Sequence, residues 1–111
     1  MYKYLKHNDK KYPIRVSNTV IGEWQEATGK TDMKKLNFKD LTILMTQGLK
    51  AGHRFAEEKY KLTSLDIEMM VDTQETVTNF LQLIPEFFPP QEEAKKEDDM
   101  GNPKSPKQPA T

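Results

Sequence analysis

Residues 37–55, NFKDLTILMTQGLKAGHRF, decide the fold. Leu41, Leu44, Met45, Gly48, Leu49, Gly52 and Phe55 follow one another at spacings of 3, 1, 3, 1, 3 and 3, which draws a single stripe along a helix. Asn37 stands where an N-cap belongs, and Asp40, three residues on, complements the positive end of the helix dipole. Gly48 and Gly52 lie on the stripe one turn apart. The missing side chains leave a flat patch, so a second helix or a hairpin is expected to approach closely there.

Upstream, two short runs alternate at period two. Tyr2 and Tyr4 alternate with Lys3 and Leu5; Tyr12, Ile14 and Val16 alternate with Pro13 and Arg15. His7-Asn8-Asp9-Lys10 between them is a turn, which predicts an N-terminal β-hairpin. Pro13 lacks an N–H and restricts its strand to an edge. A two-stranded hairpin is marginal alone, so it must pack on the helices. Ser17 or Asn18 then caps a helix whose face is Val20, Ile21, Trp24 and Ala27, and Gly29 stops it.

Downstream, Thr63-Ser64-Leu65-Asp66 reads as a capping box before a short helix holding Leu65, Ile67, Met69, Met70 and Val71. Asp72 or Thr73 caps a last helix with Val77, Phe80, Leu81, Ile84 and Phe88, which Pro85 kinks or ends. Pro89-Pro90 stops the folded chain. From Gln91 to Thr111 there is no Leu, Ile, Val, Phe, Tyr or Trp, and Pro103, Pro106 and Pro109 recur every third residue. Nothing there offsets the entropy of ordering. The expected architecture is mainly α (α+β): an N-terminal β-hairpin packed on a small bundle of three to four helices over residues 1–90, and a disordered, charged, Pro-rich tail over 91–111.

Composition narrows the function. Of the 111 residues, 35% are apolar and 31% charged, enough for one small core. The absence of cysteine excludes disulfides, thiol chemistry and Cys-based zinc sites. No apolar run approaches the roughly 20 residues that span a bilayer, and MYKYLKHNDKKYP has no apolar stretch after its charges, so neither a membrane span nor a secretory signal is expected. The zero net charge conceals polarity: residues 1–62 carry +6, residues 63–99 carry −8 and the last twelve carry +2. Solvated faces of opposite sign are the plain explanation; a basic face used on nucleic acid is the alternative.

The sequence carries few residues in patterns that support chemistry. Gly29-Lys30-Thr31 ends like a phosphate loop, but Trp24 stands where that motif needs its first glycine, and a helix precedes it where a strand should. His7 and His53 lack metal-ligand spacing, and no nucleophile elbow is present. No catalytic, cofactor or metal residue is assigned, and the chain reads as a binding protein rather than an enzyme. Met69-Met70 and Phe87-Phe88 stand out instead. One helix face cannot hide both members of an adjacent pair, and Met and Phe adapt to partner surfaces. Met69, Met70, Phe87 and Phe88, with Leu83 beside them, are the candidate partner-binding residues.

The order of these features resembles the tail assembly chaperones of long-tailed (siphovirus-type) bacteriophages. HNDKKYPIRVSN followed by VIGEWQEATGKTD is similar to that family's turn-Lys-Tyr-x-Ile/Leu-Arg strand and a helix ending in Glu-x-x-Thr-Gly, here Lys11, Tyr12, Ile14 and Arg15, then Gln25, Glu26, Ala27, Thr28 and Gly29, with Gln25 in place of the motif's Glu. DLTILMTQGLKAGHR resembles the next helix, and LTSLDIEMMVDT its acidic successor. The likeness spans about residues 5–85. Trp24 stands where an acidic or aromatic residue is usual, and the long tail departs from the family pattern. The resemblance implies a non-enzymatic assembly factor of the host cytoplasm, absent from the mature virion. Such a factor would bind and solubilise the tape measure protein and recruit tail tube subunits; self-association is compatible with that role. The rival is a small phage or bacterial regulatory protein that binds nucleic acid through its basic first half.

Overall fold

The computed structural model describes residues 1–33 and 35–88. The expected disordered tail over 91–111 and the Pro89-Pro90 stop lie outside those residues. The hairpin forms as the alternation predicts. Strands β1 (Lys3–His7) and β2 (Lys10–Ile14) pair antiparallel, with Leu5 opposite Tyr12 and Tyr4 opposite Pro13. Asn8 turns the corner at φ 57°, a left-handed conformation that Asn tolerates through its short polar side chain. Counted outward from the two-residue turn, Pro13 falls on a pair whose backbone groups point away from the partner strand, so its missing N–H costs the ladder nothing.

Four helices follow: α1 (Asn18–Thr28), α2 (Phe38–Ala56), α3 (Ser64–Val71) and α4 (Gln74–Leu83). Local sequence sets most of their ends. Ser17 Oγ accepts the Val20 N–H at 3.3 Å, and Gly29 closes α1 at φ 73°. At α2, Asn37 Oδ1 accepts the Asp40 N–H at 2.7 Å while Asp40 Oδ2 accepts the Asn37 N–H at 3.2 Å. Thr63 and Asp66 repeat that reciprocal box at α3. Thr73 precedes α4, but its hydroxyl donates to the Met69 carbonyl at 2.8 Å rather than capping. Pro85 sits in the first turn of a 3-10 segment, Ile84–Phe87, so the α-helix ends and the chain continues more tightly wound.

Helix α2 is central. It packs against β2, α1 and α3, while α4 packs against α3 and β1. The neighbours α2, β2, β1, α4 and α3 thereby close a ring around Leu5, Ile14, Leu44, Leu49, Met70 and Phe80, all essentially buried. Both outer edges of the hairpin are served by helices. The Arg15 N–H donates to the Gly48 carbonyl at 2.9 Å, and the Asn79 side-chain amide donates to the Lys6 carbonyl at 3.3 Å. Strand edges that would otherwise invite another chain are thus occupied. The glycine patch is the seat of this contact, because the β2 backbone lies directly on Gly52.

Three stripe positions differ from expectation. Phe55 is exposed, and the Arg15 guanidinium covers its ring at 3.9 Å. Ala27, one turn past buried Trp24, is exposed at the end of α1. Leu81 is 45% exposed, whereas Val77 and Phe80 on the same helix are buried.

Candidate functional site

The five candidate partner-binding residues do not share one surface. Met70 is a correction: it is 1% exposed and belongs to the core, because Ile67, Met70 and Val71 together make the inner face of α3. Met69 points outward and is 55% exposed, with Leu65 one turn before it also exposed. It lies beside the hairpin turn, where His7, Asn8, Asp9 and Lys10 face Asp66 across a shallow recess. Leu83 is half-buried between α4 and the flank of β1, near Tyr4 and Lys6. Phe87 and Phe88 lie at the other, open end of the hairpin with Met1, Arg15 and Val16. A five-residue strand, about 16 Å long, separates the two ends.

The open end is the more developed of these surfaces. Phe88 is 39% exposed and Met1 63%. Phe87 is half-buried against the core, with the Lys3 ammonium 5.9 Å from its ring centroid and Lys3 also 3.5 Å from Glu86. Cations over aromatic rings keep such a surface hydrated while leaving ring area for a partner.

A second surface escaped the sequence. Phe38, the first residue of α2, is 70% exposed. On one side of it lies a groove of about 330 Å³ lined chiefly by Leu36, Leu41, Val77 and Leu81. On the other lies a cleft of about 400 Å³ where Lys39 and Thr42 face Glu68, Val71 and Asp72. Phe38 follows a cap and falls off the α2 stripe, which was the available signal. The groove itself joins α2 to α4, more than thirty residues apart, and no local pattern reveals it.

Asp40 joins several elements. Its carbonyl accepts the Trp24 indole N–H at 3.0 Å, and its carboxylate takes the Lys30 ammonium at 2.5 Å besides the Asn37 N–H. The Lys30 hydrogen bond, more than the Asn37 backbone bond, holds its carboxyl below the usual carboxylate range, against the desolvation that would raise it. Asp66 is lowered likewise, by the Thr63 backbone and hydroxyl. A carboxyl depressed on folding contributes stability above its unfolded value, about 3.9, that is lost as pH falls through the folded value. The urea midpoint is therefore expected to hold between pH 7 and 5 and to drop below about pH 4. Asp40→Asn should flatten that drop while lowering the midpoint at pH 7. An unchanged acid slope in Asp40→Asn would remove Asp40 from this role.

Among the described residues, no group of three or more His, Asp and Glu side chains could hold a metal ion, and no helix is long and apolar enough to cross a membrane. The two histidines serve packing: His53 Nδ1–H donates to the Leu49 carbonyl at 2.7 Å, and His7 Nδ1 meets buried Thr76 Oγ1 at 2.7 Å. No protein-family model, curated protein or solved structure matches this chain.

Proposed function

We propose that this protein is a phage tail assembly chaperone that binds the tape measure protein, keeps it soluble and recruits tail tube subunits in the host cytoplasm, without remaining in the virion. The observation that carries the reading is the resemblance of the strand, helix and helix motifs over residues 11–54, in that order. The geometry supports it in kind. A tape measure protein is a long helical chain with apolar stripes, and a helical body that leaves Phe88, Met1 and Met69 exposed offers apolar contact for such stripes. Phe88 is the residue to change, since Phe87 also packs on the core. Phe88→Asp is expected to reduce co-purification of a co-expressed tape measure protein severalfold with helical circular dichroism unchanged. Unaltered co-purification would move the binding surface elsewhere, and no co-purification by the parent chain would sink the reading.

The nucleic-acid alternative has one observation in its favour. Lys39, Lys50 and Arg54 fall within a narrow arc on the outer, exposed face of α2. A steep loss of duplex DNA binding with rising salt, in place of tape measure binding, would favour that reading.

A further inference from the structure

We propose that the outer face of the hairpin binds single-stranded nucleic acid, with a phosphate held between Lys6 and Lys11 and the adjoining base stacked on Tyr4. Lys6 and Lys11 stand directly opposite each other in the β1–β2 register. Counted from the Asn8-Asp9 turn, theirs is a pair without mutual backbone hydrogen bonds, the kind that brings Cα atoms to about 4.5 Å and side chains closest. Like charges so placed destabilise a hairpin. Both side chains are exposed. Among the described residues the ion pairs are Lys3–Glu86 and Lys30–Asp40, so no carboxylate offsets the repulsion between Lys6 and Lys11. The next rung differs. His7 and Lys10 point to the opposite face of the hairpin, where Lys10 lies within electrostatic reach of Asp66. An anion seated between Lys6 and Lys11 removes their repulsion, so binding there also stabilises the hairpin.

The neighbouring groups specify more than an anion. Tyr4, two residues before Lys6, projects from the same face and is 48% exposed. The two side chains leave the strand about 7 Å apart, within the span of one nucleotide from phosphate to base. A recess of about 240 Å³ joins them to Gln82 on α4, whose amide has donors and an acceptor for a base edge. An aromatic ring beside a cationic track is what single-strand binders use, stacking bases and following the backbone. A duplex hides its base faces and leaves Tyr4 unused. Two carboxylates are near: Glu86, which Lys3 holds at 3.5 Å, and Glu58, close enough to act on the Tyr4 hydroxyl. Neither pairs with Lys6 or Lys11. This face is separate from Phe88 and from the Lys39, Lys50 and Arg54 arc of α2, and it stands whether or not the tape measure reading holds.

Fluorescence anisotropy of a labelled twelve-nucleotide oligothymidylate titrated with the full chain tests it. Saturable binding that falls with salt is expected, at a log–log slope of about −1.4 for two lysines, since each contributes about −0.7 on a single strand. Lys11→Gln should weaken binding severalfold and halve the slope. Tyr4→Ala should weaken the oligonucleotide severalfold and leave inorganic polyphosphate binding unchanged. Lys6→Glu should abolish binding and raise the thermal midpoint of the free protein, because it turns a repulsive cross-strand pair into an attractive one. That rise also shows the variant to be folded. Absence of binding overturns the proposal, as does binding that Lys6→Glu leaves intact or a midpoint that Lys6→Glu lowers. Polyphosphate bound as tightly as the oligonucleotide, with Tyr4→Ala silent on both, overturns the nucleic-acid assignment in favour of a general polyanion site.

Discussion

Gly52→Ala is expected to unfold the protein or nearly so, although in an exposed helix the same change would stabilise by about 1 kcal/mol. The added Cβ would lie 2.3 Å from both the Cα and the backbone N of Ile14, and 2.4 Å from the Pro13 carbonyl carbon. Those are main-chain atoms in a paired strand, with no rotamer to yield. Relief requires moving β2 off α2, which also breaks the Arg15–Gly48 hydrogen bond and exposes Ile14. Overpacking usually costs about 1–3 kcal/mol where side chains can adjust, and a backbone clash belongs above that range. Gly48→Ala is the control on the same stripe. Its Cβ would meet Ile14 Cγ1 at 3.2 Å, a side-chain atom that can shift a few tenths of an ångström. The helix-propensity gain and that small crowding should nearly cancel, leaving the thermal midpoint within a few degrees of the parent. Equal effects from the two variants would refute the close approach of β2 at Gly52.

The contrast between Gly48 and Gly52 shows what the sequence could and could not convey. The two glycines on an apolar stripe marked a close approach, and the hairpin upstream was one of two candidates for it. Which glycine bears the backbone contact depends on the register of β2 against α2, a tertiary quantity. Helix ends were legible where the chemistry is local, at Ser17, Asn37–Asp40 and Thr63–Asp66, because a cap and its N–H groups lie within three residues. Met69 and Met70 were not separated, although Ile67, Met70 and Val71 at spacings of 3 and 1 already pick out Met70 as the inward member. Phe55 continued a sound stripe, yet its ring lies at the surface under the Arg15 guanidinium rather than in the core, a tertiary contact that helix periodicity does not convey. Phe38 and Leu81 meet across more than forty residues of chain, and their groove exists only after α4 has folded back beside α2.

Trp24→Ala is expected to cost about 3–5 kcal/mol, the range for removing a large aromatic from a core. Trp24 is fully buried and joins α1 to the start of α2 in two ways. Its ring fills the space between Val20 and the α2 stripe, and its N–H donates to the Asp40 carbonyl at 3.0 Å, at the same turn that Asn37 and Lys30 fix. Alanine would leave a cavity, and α1 has few other anchors, since only Val20 and Trp24 of that helix are buried. Domains of this size have stabilities toward the lower end of about 5–15 kcal/mol, so the loss would leave a substantial unfolded fraction near 37 °C. Trp24→Phe separates the two contributions. It keeps most of the apolar volume and removes the indole donor, so it should lose about 1–2 kcal/mol, less than alanine does. Urea titration monitored by circular dichroism measures both, because neither variant retains tryptophan fluorescence. The sharp alternative is a ring that serves a partner rather than the core. Trp24→Ala would then melt at the parent temperature and lose only binding, and α1 would have to be held by contacts other than this one.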